Sequence, residues 1–306
     1  MSRTHVRTSP WRFRASLTPR GGTSGDAVPD TASPSHAPPT QSDRDRVGPR
    51  RQTGCMTSDP TPHPDLTAAL DALHQSEQHL LRTVDSLSPD AWGEPSVLPG
   101  WSRAHVAAHL ALNAEGLAGA VNGLAHDVEV PVYESGEKRD ADIEELSQAG
   151  PAEIRERLFG AGQALRDALS TLDAAHWGGS IARVPDGPQW SVVEVPATRR
   201  REVEIHHADL DAGYSHRDWP GDFAVELLDL ATEDHAASPD SPVFTIRATD
   251  TIRTWSVGAE QPVVEGTAAD LGWWLVGRGR GEGLACDSGL PRLGPWRRTP
   301  APTRAP

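Results

Sequence analysis

Between Asp65 and Leu87, the apolar residues Leu66, Leu70, Leu73, Leu80, Leu81, Val84 and Leu87 recur at helical spacing, which predicts a first amphipathic helix. Glu77 interrupts that stripe where an apolar residue is expected. Pro89, Gly93, Pro95, Pro99 and Gly100 break the chain, and Ser102 is placed as the N-cap of a second helix. Its inner face runs through Val106, His109, Leu110, Asn113, Leu117, Val121 and Leu124. A polar connection, His126 to Gly150, carries one short helix near its end and leads to Pro151, well suited to the first position of a third long helix. There Ile154, Leu158, Ala161, Leu165, Leu169 and Leu172 keep the period. Gly178, Gly179, Pro185, Gly187 and Pro188 read as a loop, and a fourth helix follows it and ends on Gly213. Four such segments predict a four-helix bundle.

Beyond the turn at Trp219-Pro220-Gly221 the pattern changes. Asp222–Ala236 reads as a helix, Val243–Arg247, Arg253–Val257 and Val263–Glu265 as strands, and Asp270–Val276 as a further helix. The fold class expected is therefore α+β, with a bundle over residues 61–215, a small α/β domain over 216–297 and a loose tail over 298–306. Residues 1–60 lack apolar periodicity and are expected to be a disordered extension or one that precedes the true translation start at Met56. They superficially resemble a transit peptide, without a clean amphipathic helix.

The fourth helix departs from the pattern of a packing helix. Thr198, Arg199, Glu202, His206 and Asp209 fall on the stripe that should be apolar. Burying such groups unpaired costs roughly 2–7 kcal/mol each, so something must satisfy them, and a metal is the obvious candidate. Catalytic zinc sites commonly use three His or carboxylate ligands and keep a fourth position open. His109 from the second helix, with Glu202 and His206, offers such a trio. His105 lies in a first helical turn and suits capping; His207 is rotated about 100° from His206 and Glu204 is off the stripe. Asp209 is placed to hold a ligating histidine from behind or, alternatively, to pair with an arginine. Arg278 and Arg280, in Gly277–Gly281, are candidates for binding a carboxylate. Trp101, Trp177, Trp273 and Trp274 are assigned to packing.

Composition narrows the function. A net charge of -14 and a pI near 5.3 offer no basic stripe for nucleic acid or an anionic membrane, and favour a small-molecule partner. Two cysteines, Cys55 and Cys286, are too few for a disulfide framework, which points to a reducing, cytoplasmic setting. There is no apolar run of about 18 residues and hence no expected membrane span.

Gly100-Trp-Ser-Arg-Ala-His-Val-Ala-Ala-His-Leu-Ala-Leu-Asn113, Tyr133-Glu-Ser with Arg139-Asp-Ala-Asp-Ile143, and Arg201-Glu-Val-Glu-Ile-His-His-Ala-Asp-Leu210 resemble the mycothiol-dependent maleylpyruvate isomerase family. The resemblance covers roughly Leu66 to Trp296. It implies a DinB-like metal-binding four-helix bundle followed by a small α/β domain, with zinc held by His109, Glu202 and His206. It also implies Asp209 as an active-site carboxylate and an active-site arginine in the C-terminal part, for which Arg278 is chosen and Arg280 is the rival. The implied cofactors are zinc and mycothiol. The implied reaction is cis-trans isomerisation of maleylpyruvate or a similar unsaturated keto acid by reversible thiolate addition, with Arg278 on the substrate's carboxylate. Mycothiol S-transfer to electrophiles, or a non-catalytic metal-binding role, are the alternatives. Tyr133–Ile143 is either a cover for the site or a solvated connection.

Overall fold

The computed structural model describes residues 64–239, 241–258, 262–294 and 296. The expectations for residues 1–60, including a start at Met56, and for the tail 298–306 lie outside the described residues. The helices are α1 (Pro64–Ser86), α2 (Arg103–Leu124), α3 (Gly136–Ser147), α4 (Pro151–Thr171), α5 (Val195–Asp209), α6 (Gly221–Ala237) and α7 (Ala268–Leu275). The strands are β1 (Ser180–Ala182), β2 (Gln189–Ser191), β3 (Phe244–Ala248), β4 (Thr254–Val257) and β5 (Val263–Gly266). The architecture is α+β: a helical N-terminal region, then a small sheet region.

In the bundle α2 packs chiefly on α4, and α1 on α5. The alanines of α2 explain why it lies at the centre: Ala104, Ala107, Ala108, Ala111, Ala114, Ala118 and Ala120 are all buried, so neighbours approach it from several sides. A helix apolar around its circumference belongs inside. Its glycines admit a further layer. A Cβ on Gly116 would come within 2.3 Å of the Val132 carbonyl oxygen, so the chain leading into Tyr133 lies directly on the bare helix surface.

The stretch read as a glycine- and proline-rich loop contains a short antiparallel hairpin, with Ile181 opposite Trp190. The Val132 and Tyr133 N–H groups donate to Ala182 and Arg183 carbonyls, extending this hairpin onto the segment that crosses α2. Tyr133 is thereby fixed on both sides.

The break in the first helix and the polar stripe of the last answer one another. Arg199 is 1% exposed; its Nε donates to Glu77 at 3.3 Å and its Nη1 to the Leu110 carbonyl and Asn113 Oδ1, each at 2.9 Å. Arg166 donates to the other Glu77 oxygen. At the far end of α5, Arg103 Nε and the Val97 N–H donate to the carbonyls of Leu210 and Asp209. The helix stops at Asp209 rather than continuing to Gly213, because Asp211 already turns the chain with φ 53°.

In the C-terminal part the sheet order is β4-β3-β5, with β3 antiparallel to β4 and parallel to β5. Leu228 and Ala231 of α6 and Leu271 and Trp274 of α7 close on Phe244, Ile246, Val257 and Val264. This layer meets α5 through Ile205, Ala208, Trp219, Phe223 and Val276 and through the Arg200–Asp222 ion pair. No helix among the described residues is long and apolar enough to cross a membrane.

Removing one member of a buried ion pair strands the other charge. Glu77→Ala is expected to destabilise the protein by about 3–5 kcal/mol in urea unfolding, and a loss below about 1 kcal/mol would contradict the role given to Glu77.

Candidate metal centre

His109 is carried on α2 and points toward α5, where it is 3% exposed. Glu202 and His206, one turn apart on α5, face it. His109 Nε2 lies 3.0 Å from Glu202 Oε2, and His206 Nε2 lies 3.4 Å from the same oxygen. The two imidazole rings meet edge to face, centroids 4.6 Å apart. One ligand atom from each of the three residues lies within 4.8 Å of the others. Tetrahedral zinc with bonds of about 2.0–2.1 Å would set its ligand atoms roughly 3.3 Å apart, close to the 3.0 and 3.4 Å of the two pairs that share Glu202.

The electrostatics suit a cation. Burial drives the His109 imidazole down to about 3, outweighing its hydrogen bond with Glu202, so at neutral pH this ring is uncharged and able to donate a lone pair. Burial opposes ionisation of Glu202, yet hydrogen bonds from His109 and His206 hold its carboxyl well below the ordinary carboxylate range. His206 is moved upward: burial opposes this, but Asp209 and Glu202 both favour the charged ring. A divalent cation would replace that proton between the same partners. Two neutral nitrogens and a carboxylate are the donor set of a catalytic zinc site, and Glu202, 30% exposed at its side chain, opens the trio toward solvent.

Asp209 supports this arrangement from behind. Its Oδ2 lies 2.8 Å from His206 Nδ1, which leaves His206 Nε2 to face Glu202. A fully buried carboxylate in the last turn of a helix faces the negative end of the helix dipole. Arg278 compensates it, with Nε 2.8 Å and Nη2 2.5 Å from the two carboxylate oxygens. Burial would raise the Asp209 carboxyl, but the Arg278 guanidinium and His206 keep it below its ordinary value. Arg278 is itself 4% exposed and is brought to the site through Asp209; Arg280 is exposed, its backbone N–H donating to Glu282.

The other candidates are engaged elsewhere. His105 closes a capping box with Ser102 and reaches Glu144 at 3.2 Å. His207 meets Thr83 Oγ1 at 2.8 Å and stacks on Tyr214, while Glu204 accepts from Ser76 and Tyr214. Trp101, assigned to packing, also lies 5.9 Å from the His109 ring and forms part of its wall. Sequence reasoning gave no role to Arg139, whose Nη2 is 3.2 Å from His109 Nδ1. A signal was present: Arg139 is four residues before Ile143 and seven before Leu146, the buried face of α3.

Residues 73–211 match the family model described as the mycothiol maleylpyruvate isomerase N-terminal domain. Two solved structures, a mycothiol-dependent maleylpyruvate isomerase and a histidine-to-alanine mutant of it, each superpose with a TM-score of 0.70 at 24% identity, covering 76% of this chain and 97% of theirs. At that identity the likeness establishes the fold. Among curated protein sequences none matches. The chain is thus similar to the mycothiol maleylpyruvate isomerase N-terminal domain over residues 73–211, and it shares the fold of the two solved structures.

Proposed function

We propose that the protein is a metal- and mycothiol-dependent cis-trans isomerase of maleylpyruvate or a closely similar unsaturated keto acid. The observation that carries this reading is the His109, Glu202 and His206 cluster, built inside a bundle of the matching family with one side open. A divalent cation held there, zinc in the first instance, would lower the pKa of a bound thiol and supply thiolate at neutral pH.

The reaction asks little more of the protein than orientation and charge. The thiolate sulfur adds to one carbon of the cis double bond, and the π electrons move onto the conjugated carbonyl as an enolate. The former double bond is then free to rotate. When the enolate collapses, sulfur leaves with its electron pair and the trans double bond forms, with the thiolate regenerated. His109 and Glu202 hold the reacting end in place, Asp209 fixes the ring of His206, and Arg278 fixes Asp209. Because both Arg278 Nε and Nη2 already serve Asp209, we assign Arg278 to orientation rather than to the substrate's carboxylate.

Metal content tests the site. Wild-type protein is expected to hold about one zinc per chain, His109→Ala to lose it on dialysis, and Asp209→Asn to weaken affinity by about 10–100-fold. Full zinc content in His109→Ala would remove the assignment. Turnover tests the reaction. Loss of maleylpyruvate absorbance is expected with zinc-loaded protein and mycothiol together and with neither alone. Absence of isomerisation alongside mycothiol conjugation of an electrophile would move the assignment to S-transfer.

A further inference from the structure

Arg139 is the cation in this site whose bonding is incomplete. Its side chain is 12% exposed; Nη1 donates to the carboxylate of its neighbour Asp140 at 2.8 Å and Nη2 faces His109 Nδ1 at 3.2 Å. Its Nε is buried with no hydrogen-bond partner among the described residues. A buried unsatisfied N–H costs about 1–3 kcal/mol, and a charged one more, so its position calls for a ligand. The guanidinium is held in place by the ring of Tyr133, 5.6 Å from its centroid, and Arg183 lies over the same ring at 5.0 Å. The Tyr133 hydroxyl in turn accepts from Asn113 Nδ2, and Asn113 Oδ1 accepts from the buried Arg199. Two guanidinium groups thus lie against Tyr133, and one of them, Arg139, also reaches the candidate metal centre.

Proton placement links Arg139 to the metal. For Arg139 Nη2 to donate to His109 Nδ1, that nitrogen must be bare, which puts the ring proton on Nε2, toward Glu202. A metal bound through Nε2 needs the opposite tautomer, with the proton on Nδ1, and two donors then face each other. Metal binding through Nε2 would therefore release Arg139 Nη2. The freed Nη2 and the unpartnered Nε form the side edge of the guanidinium, the fork that receives a carboxylate with two parallel hydrogen bonds. Arg278 uses that same edge on Asp209.

We infer that Arg139 is the residue that binds a substrate carboxylate, and that metal occupancy of His109 makes it available. The inference rests on the metal-centre reading above. Because coupling of two binding equilibria is reciprocal, the metal and the carboxylate should tighten each other's binding. Selection for an anionic substrate would follow from the protein's own hydrogen-bonding pattern, without catalysis having to take place.

Maleate serves as the probe, titrated calorimetrically into metal-free and zinc-loaded wild type, Arg139→Gln and Arg139→Lys, with zinc measured in every sample. Wild type should bind maleate at least about tenfold more tightly when zinc-loaded. Zinc-loaded Arg139→Gln should bind it about tenfold or more weakly than zinc-loaded wild type while keeping its zinc, and Arg139→Lys, which retains charge but lacks the two-donor edge, should fall between them. Direct contact of maleate with zinc persists in all three proteins, so the difference between them isolates Arg139. The zinc affinity of wild type, measured against a chelator, should rise with maleate, and that of Arg139→Gln should rise less. Equal maleate affinity in zinc-loaded wild type and Arg139→Gln overturns the inference and leaves the metal site standing; failure of wild type to take up zinc overturns both.

Discussion

Arg199 is a charge enclosed in the middle of a helical bundle, and the surrounding residues are arranged to neutralise it. Moving an isolated guanidinium out of water is unfavourable by several kcal/mol even after relaxation, so Glu77 is required on the facing helix, where it spoils an otherwise apolar stripe. The remaining donors of Arg199 fix the Leu110 carbonyl and Asn113, one position and one turn beyond His109. The same pairing therefore sets the relative positions of α1, α2 and α5. Two of these helices supply all three candidate metal ligands.

Further along α5 the same principle shapes the site. Arg200 is neutralised by Asp222, Glu204 is satisfied by Ser76 and Tyr214, and Asp209 is neutralised by Arg278. Glu202 differs in having only the two imidazoles of His109 and His206 as its partners among the described residues, and His206 shares itself between Glu202 and Asp209. Their mutual arrangement, with a buried neutral imidazole opposite an ionised carboxylate, is favourable to a cation, and the part-exposed Glu202 side chain gives it a solvent side. Orientation of His206 comes from Asp209, and that of Asp209 from the C-terminal part of the chain. The sheet region thus acts on the site through one bidentate ion pair.

Periodicity exposed the long helices, the three strands of the C-terminal sheet and the His109, Glu202 and His206 trio, because each depends on local spacing. Glu77 and the polar face of α5 were legible separately as irregularities. Their pairing was not, since nothing local connects residues 122 positions apart. The β1–β2 hairpin was hidden because each strand has only three residues and the intervening stretch is rich in glycine and proline. Arg139 was obscured by the acidic character of its connection, where it and the neighbouring Lys138 resemble solvated charges. The place of Arg139 beside His109 becomes apparent only when Val132 packs on Gly116 and the adjoining Tyr133 ring lies under its guanidinium.

The most direct test of the account is the electronic spectrum of the cobalt-substituted protein, before and after addition of mycothiol. An open three-ligand site at His109, Glu202 and His206 predicts the strong visible bands of low-coordinate cobalt, together with a sulfur-to-metal charge-transfer band that appears with the thiol. Weak bands of six-coordinate cobalt, unchanged by mycothiol, would contradict a thiol-activating metal centre at this position.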